Sequence, residues 1–381
     1  MAAPDRPSGG GAWWARAVEV ADLRPWRRAR LELPDGLVVI SGPNGAGKTS
    51  LVEAIVLGTL GVSPRTAREA EAVRRGAAAL RVVLELSGPD GTSVREIGVQ
   101  AGVGRRLRID GQGVRSLAAW RARGAVLVFL PEELRSVKGP PAARRRVVDR
   151  LVEAVSAEAA EPLAGYTAAL AQRNALLRRI RAGLTGTGGL APWDARVAEL
   201  SAAVVLARRA AVRAIAPRFA VWLAALGGGP GGDLALEPSP AELAGVADDA
   251  VPAALAASLA AGRERDLAAA QTLSGPHRDD VWIGAGGVDL RRTGSQGEQR
   301  TAVLALLLAC RDHLAARGAA PILLLDDVLS ELDPRRRRAL LDGLAVGGQT
   351  LVTSADPDAA ALAAASGAAL HLRVEAGEVV G

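Results

Sequence analysis

An α/β fold split by a mostly α-helical insertion is predicted from three observations. Residues 37–54, "LVVISGPNGAGKTSLVEA", run from a buried apolar strand through a glycine-rich turn into a helix. Residues 322–333, "ILLLDDVLSELD", form a second apolar strand that ends in two carboxylates. Between them lies a long Ala-, Leu- and Arg-rich stretch with helical character.

The elements follow in order. Residues 16–22 and 29–33 alternate as half-buried strands do, and 37–40 read as a continuous buried strand. A helix is expected from Lys48 to Leu60, then an antiparallel meander of "LRVVLELS", "TSVREIGV" and "GRRLRIDG" separated by Gly, Pro and Asp turns. Residues 141–182 read as helix, with Pro162 expected to kink or split it. A turn at 182–192, a helix from about Asp194 to Leu226, the break "GGGPGG" (227–232) and more helix over about 240–268 complete an αα-hairpin lobe. Strands return from about 271, with "DDVWIGA", a helix near 297–317, then "PILLLDD", "QTLVTSAD" and "LHLRVEAGEVVG". The expected domains are therefore a head of 1–130 and 268–381 and an inserted lobe of 131–267.

Composition narrows the class. Leu, Val and Ala dominate, aromatics make up 3% and the net charge is +6. A basic balance fits a polyanionic partner such as nucleic acid, although arginine-rich coding bias gives the same excess. A single cysteine, Cys310, excludes an intramolecular disulfide framework and a cysteine-based zinc site, and reads as a buried thiol in a reducing cytosol. The first sixteen residues lack the apolar core of a signal peptide, and no uncharged apolar run reaches the roughly 18 residues of a membrane span. A soluble, cytoplasmic protein with no membrane partner is expected.

Two lysines stand among the 47 basic residues, Lys48 and Lys138. Lys48 lies in "GPNGAGKT", which fits G-x-x-x-x-G-K-[ST] between a strand and a helix. The turn residues Gly42, Pro43, Asn44, Gly45, Ala46 and Gly47, continuing into Ser50, are the expected phosphate-binding segment: its successive N–H groups (Pro43 has none) surround phosphate oxygens, and the helix N-terminus adds positive potential. Lys48 is a compact point charge for the β- and γ-phosphates, a role the planar guanidinium does not fill. Thr49 offers a hydroxyl to Mg²⁺. In "LLLDDVLSELD", Asp326 is the expected Mg²⁺ carboxylate and Asp327 the group that polarises the attacking water. ATP and Mg²⁺ are the implied cofactors.

The stretch "GSQGEQRT" (294–301) allows two readings. Ser295 is a good helix N-cap, and capping explains it completely. Alternatively Ser295, Gln296, Gly297 and Glu298 form an ABC-type signature that contacts the γ-phosphate of ATP on a second subunit. The order of phosphate loop, signature and carboxylate strand then implies an ATP-dependent homodimer. Lys48 and Asp326 stand 278 positions apart, as in a split ABC-type head. SMC proteins split their heads similarly, with far longer coiled coils, whereas this insertion is short and lacks a C-x-x-C hook. An SMC-like structural DNA ATPase is the alternative.

"GPNGAGKTSLVEAI", "FLPEELRSVKGPPAARRRVVD" (129–149), "LAQRNALLRRI" (170–180), "TLSGPHRDD" (272–280), "GSQGEQRT" and "LLLDDVLSELD" occur in the order found in the RecF family of bacterial recombination and gap-repair ATPases, which the chain resembles. The resemblance implies an ABC-type, SMC-like head, ATP-dependent dimerisation, slow ATP hydrolysis, binding to double-stranded, gapped or junction DNA, and action with RecO and RecR in loading RecA. "LRPWRRARLEL" replaces the family's aromatic-plus-Asn segment. Glu298 stands where glutamine is common, and "VTSAD" places Thr353 and Ser354 where many ABC ATPases carry a switch histidine.

The second lysine, Lys138, precedes Pro140 and Pro141, which suit a helix start, and Arg144, Arg145 and Arg146 follow. Cations there oppose the helix dipole by a few tenths of a kcal/mol each. Either Glu132 and Glu133 pair with them, or Lys138, Arg144, Arg145 and Arg146 hold a DNA phosphate.

Overall fold

The computed structural model describes residues 12–66, 68–121, 126–129, 135–155, 157–344, 347–356 and 358–380. In chain order the first elements are β1 (Trp14–Leu23), β2 (Trp26–Glu32), β3 (Leu37–Ser41), α1 (Lys48–Leu60), β4 (Ala79–Gly88), β5 (Gly91–Gln100), β6 (Gly104–Ile109), β7 (Gln112–Val114), α2 (Leu117–Arg121) and β8 (Val126–Phe129). They are followed by α3 (Arg135–Lys138), α4 (Pro141–Val155), α5 (Ala157–Arg181), α6 (Leu190–Ala225), β9 (Gly232–Glu237), α7 (Val251–Ala269), β10 (Asp280–Ala285), β11 (Val288–Asp289) and α8 (Gln296–Ala315). The chain closes with β12 (Ile322–Leu325), α9 (Pro334–Leu344), β13 (Thr350–Ser354), α10 (Ala359–Ala365), β14 (Leu370–Glu375) and β15 (Glu378–Val379).

These elements form two compact units, Met1–Glu132 with Arg311–Gly381, and Glu133–Cys310. The first unit holds two six-stranded sheets. Alternating sequences build an antiparallel sheet in the order β2-β1-β4-β5-β6-β7, which includes the predicted meander. The continuous apolar runs build the other sheet, β15-β14-β3-β13-β12-β8, parallel from β14 to β8. Helix α1 packs on strands of both sheets and buries Lys48, Ser50 to Thr59 without a polar face. Gln349, 2% exposed, links them: its amide nitrogen donates to the Ala15 and Pro34 carbonyls, and its amide oxygen accepts from the Ala15 N–H.

The second unit packs α5, α6 and α7 around Tyr166, Ala169, Val197, Leu200, Val204 and Leu259. A second cluster gathers Val205, Leu243, Val251 and Leu255. It is not wholly helical, because β9, β10 and β11 form an antiparallel sheet of their own. The lobe expected over 131–267 accordingly runs on to Cys310. The strand at 280–285 was expected to rejoin the head, but β9, an alternating "GDLALE", supplies its partner locally. Residues 241–245 and 248–250, expected to be helix, are short 3₁₀ turns before α7. Pro162, expected to kink or split the 141–182 helix, lies inside α5; α4 ends at Val155 and α5 begins at Ala157, and residue 156 lies outside the described residues. Among the described residues no helix is long and apolar enough to cross a membrane.

Candidate functional site

The phosphate loop leaves the C-terminal end of β3, a wholly buried strand with parallel neighbours on both sides. Such an end is where open α/β sheets place their ligands. Gly42 has φ +151°, and a Cβ there would lie 2.0 Å from the Val374 carbonyl oxygen. Gly47, at φ +111°, is the left-handed residue from which α1 starts, and no side chain caps the helix. Pro43, Asn44 and Gly45 are exposed at the turn, whereas Ala46, Gly47 and Ser50 are buried. The Lys48 ammonium is 6% exposed and donates to the carbonyls of Gly42 (2.8 Å) and Pro43 (3.0 Å). Burial lowers its pKa, and the nearby Asp327 and Asp326 oppose the shift.

The two motif halves meet at the ends of the parallel strands. The Thr49 hydroxyl lies 3.0 and 2.8 Å from the two oxygens of Asp326. Asp326 is 3% exposed, and its backbone N–H donates to the Phe129 carbonyl at 2.9 Å. Burial raises its pKa above the ordinary carboxylate range; the hydroxyls of Thr353 and Thr49 pull the other way, Asp327 adds to the rise and Arg65 opposes it. Thr353, absent from the sequence-based list of site residues, occupies the middle of this arrangement. Its hydroxyl donates to Asp326 Oδ1 at 2.6 Å and accepts the Asp327 N–H at 3.0 Å. Asp327 adopts a left-handed backbone, φ +52°, and its carboxylate accepts the Ala355 N–H at 3.3 Å. The Thr353 hydroxyl of "VTSAD", at the position where many ABC ATPases carry a histidine, thus joins the Asp326 carboxylate to the Asp327 backbone.

Threonine and aspartate oxygens side by side suit Mg²⁺, which takes few protein ligands and leaves the rest to phosphate and water.

Sequence reasoning also missed Trp26 and Glu53. Trp26, fully buried, donates its indole N–H to the Gly47 carbonyl at 3.0 Å. Glu53, one turn further into α1 and fully buried, is held by Arg24 (3.0 Å), Ser63 (2.6 Å) and Arg65 (3.6 Å). A lone tryptophan in an arginine-rich strand was the available signal for Trp26. A glutamate within an otherwise apolar helix was the one for Glu53.

The other predicted residues lie in the second unit. Ser295 and Glu298 form a reciprocal capping box at the start of α8: the Ser295 N–H donates to Glu298 Oε2 at 2.7 Å, and the Glu298 N–H to Ser295 Oγ at 3.3 Å. Those bonds lower the Glu298 pKa. Ser295, Gln296, Gly297 and Glu298 are all exposed, so the capping geometry leaves this turn open to a partner.

Lys138 and Arg146 are exposed. Arg144 is not available for DNA. It is 6% exposed, grips Asp280 through Nε (2.6 Å) and Nη2 (2.7 Å), and donates Nη1 to the Val137 and Gly139 carbonyls. Asp280, a distant acidic partner, offsets the buried charge. Arg145 is half-buried and donates to the Asp279 carbonyl. Glu132 and Glu133 lie outside the described residues. The "TLSGPHRDD" stretch supplies these acceptors. Asp279 and Pro276 also receive Arg208, and His277 Nδ1 pairs with the Tyr166 hydroxyl at 2.6 Å.

Residues 17–118 match the family model described as an AAA domain. The DNA replication and repair protein RecF of Acidothermus cellulolyticus is 37% identical over 353 residues, covering 90% of this chain and 94% of the relative. That of Symbiobacterium thermophilum is 35% identical, covering 89% and 90%. Among solved structures, the recombination mediator protein RecF-ATP in the RecFOR pathway superposes with a TM-score of 0.83 at 25% identity, covering 98% of this chain and 99% of that one. The Smc head domain of Pyrococcus furiosus with an extended coiled coil, bound to the C-terminal domain of ScpA, gives a TM-score of 0.60 at 16% identity, a likeness of fold.

Proposed function

The chain belongs to the RecF family of DNA replication and repair proteins, and from that membership we propose that it is an ATP-gated DNA-binding protein of recombinational repair and replication restart. One observation carries the reading at the residue level: Thr49 and Asp326, 277 positions apart in sequence, meet at 2.8 Å beside the glycine-rich turn, whose backbone N–H groups are the phosphate donors of this reading. Those donors and Lys48 bind the triphosphate. Thr49 and Asp326 hold Mg²⁺, which when bound neutralises charge on the phosphate oxygens. Asp327, aimed by Thr353 and Ala355, accepts a hydrogen bond from the attacking water and polarises it. Slow turnover, which the family resemblance implies, suits a switch better than a metabolic enzyme.

On this reading two copies close around ATP, each presenting its exposed Ser295, Gln296, Gly297 and Glu298 turn to the other's γ-phosphate. The closed dimer binds double-stranded, gapped or junction DNA, with Lys138 and Arg146 contacting backbone phosphates and Arg145 beside them. RecR and RecO are the protein partners, and RecA is the protein loaded. The test is capture on gapped DNA with and without ATP, for wild type and Lys48→Arg, with ATP affinity measured alongside. Wild type should bind ATP and be retained with it; the arginine variant should stay folded and lose both. Retention indifferent to ATP, or undiminished ATP affinity in the variant, counts against the proposal.

A further inference from the structure

We infer that the β1–β2 turn and the β14–β15 turn together form a clasp that presets the phosphate loop, with Trp26 as its positioning residue; this rests on the ATP reading above. In a phosphate-binding turn the N–H groups point inward, so the carbonyls must point out and find donors elsewhere. Two of them do so in this chain through non-local partners. The Ala46 carbonyl accepts the Gly377 N–H at 2.8 Å, and the Gly47 carbonyl accepts the Trp26 indole at 3.0 Å. A trans peptide sets its C=O and N–H on opposite sides. Anchoring the Ala46 and Gly47 carbonyls therefore turns the N–H groups of Gly47 and Lys48 the other way.

The two turns also brace one another. A Cβ on Gly377 would lie 2.8 Å from the Pro25 carbonyl oxygen, and one on Gly47 would lie 2.7 Å from Trp26 Nε1. Arg24 and Ala376 both carry left-handed backbones, at φ +52° and +49°, which bend each turn back over the loop. Arg24 then continues to the buried Glu53, tying the same turn to the first turns of α1. The Gly47 carbonyl also receives the Ser50 and Leu51 N–H groups, so the indole adds orientation rather than rescuing an unsatisfied acceptor. Losing it should therefore alter nucleotide binding more than folding.

Trp26→Phe removes the indole N–H and keeps an aromatic ring. Trp120→Phe is the matched control. Trp120 is equally buried, packs near the opposite end of α1 against Gly61, and its Nε1 has no hydrogen-bond partner. Equilibrium titration of the full chain with Mg²⁺-ATP should show affinity about fivefold lower for Trp26→Phe, the factor for one neutral hydrogen bond of about 1 kcal/mol at 1.4 kcal/mol per decade. Trp120→Phe should match wild type, and nucleotide-free thermal midpoints should separate the two variants far less than the affinities do. Wild-type affinity in Trp26→Phe, or an equal loss in Trp120→Phe, overturns the clasp. A wild-type chain that binds no Mg²⁺-ATP overturns instead the reading on which it rests.

Discussion

Buried charge is handled differently at the phosphate loop of the first unit and in the second unit, although Glu53 behind that loop closes on Arg24 as the second unit's carboxylates close on their arginines. In the phosphate-loop unit, the hydrogen bonds of Lys48 are to two backbone carbonyls, and the Asp326 carboxylate takes two threonine hydroxyls. Neutral partners satisfy geometry while leaving the charges able to meet phosphate and a cation. In the 133–310 unit, buried arginines close on carboxylates. Arg208 bridges Asp149 and Asp279, Arg173 bridges Asp194 and Asp266, and Arg144 holds Asp280. There the charges neutralise each other and join distant segments. A buried charge bonded to neutral groups is thus the better mark of a ligand site than a buried ion pair, which more often records architecture.

Arg208→Met tests the architectural side and carries the largest expected effect. It leaves Asp279, fully buried, and Asp149 without their cation. Breaking a buried pair in this way costs about 3–5 kcal/mol. Denaturant unfolding should show such a loss, and an ordinary surface-sized change would mean that these pairs contribute little.

On the ligand side, Thr353→Val removes the hydroxyl that links the Asp326 carboxylate to the Asp327 backbone N–H and nearly preserves volume. One donated and one accepted bond are lost, which should lower stability by about 1–2 kcal/mol. Asp327 then loses part of its aim, so single-turnover hydrolysis should fall about tenfold, a fraction of the roughly 10²–10⁴-fold that a positioned general base provides. ATP affinity should hold. Unchanged hydrolysis would move the aiming role elsewhere.

The smallest effect sharpens the comparison through pH. Burial raises the Asp326 pKa, so its proton is held more tightly in the folded chain than in the unfolded one. The group's contribution to stability is then fully present below its unfolded value near 4 and is lost as pH rises through the folded value. Asp326→Asn removes that loss. Without nucleotide the variant should match wild type near pH 4 and become the more stable of the two towards pH 7. Thermal midpoints at the two pH values decide it, and a variant less stable at pH 7 would place Asp326 with the architectural charges. Its Mg²⁺-ATP binding should be impaired whatever the pH.

Much of this site was legible in the sequence. β3, the glycine turn and α1 are adjacent in the chain, and the residue types that bend backbone around phosphate at Gly42 and Gly47 leave a local pattern. The carboxylates after β12 are legible for the same reason, since a four-residue apolar strand has one end at which they can emerge. Ser295 and Glu298 showed the spacing of a capping box, which the structure forms. The boundary of the inserted unit was not legible, because the pairing of β10 with β9 rather than with the parallel sheet is a choice between two acceptable edges. Arg144 was misread for a related reason: a run of three arginines looks uniform, and only the position of Asp280 separates the buried one from its exposed neighbour at 146.

The sequence by itself determined the family, the split α/β plan and the chemistry proposed for Lys48, Thr49, Asp326 and Asp327, because those depend on residue type and short spacing. The tertiary structure decided which groups hold that chemistry in place. Trp26 on the Gly47 carbonyl, Gly377 on Ala46, and Thr353 between two aspartates are contacts across tens to hundreds of positions. Each rests on one or two hydrogen bonds of about 1 kcal/mol apiece. So weak a preference leaves no periodicity in a sequence, and it becomes specific only when packed strands bring both partners to a fixed distance.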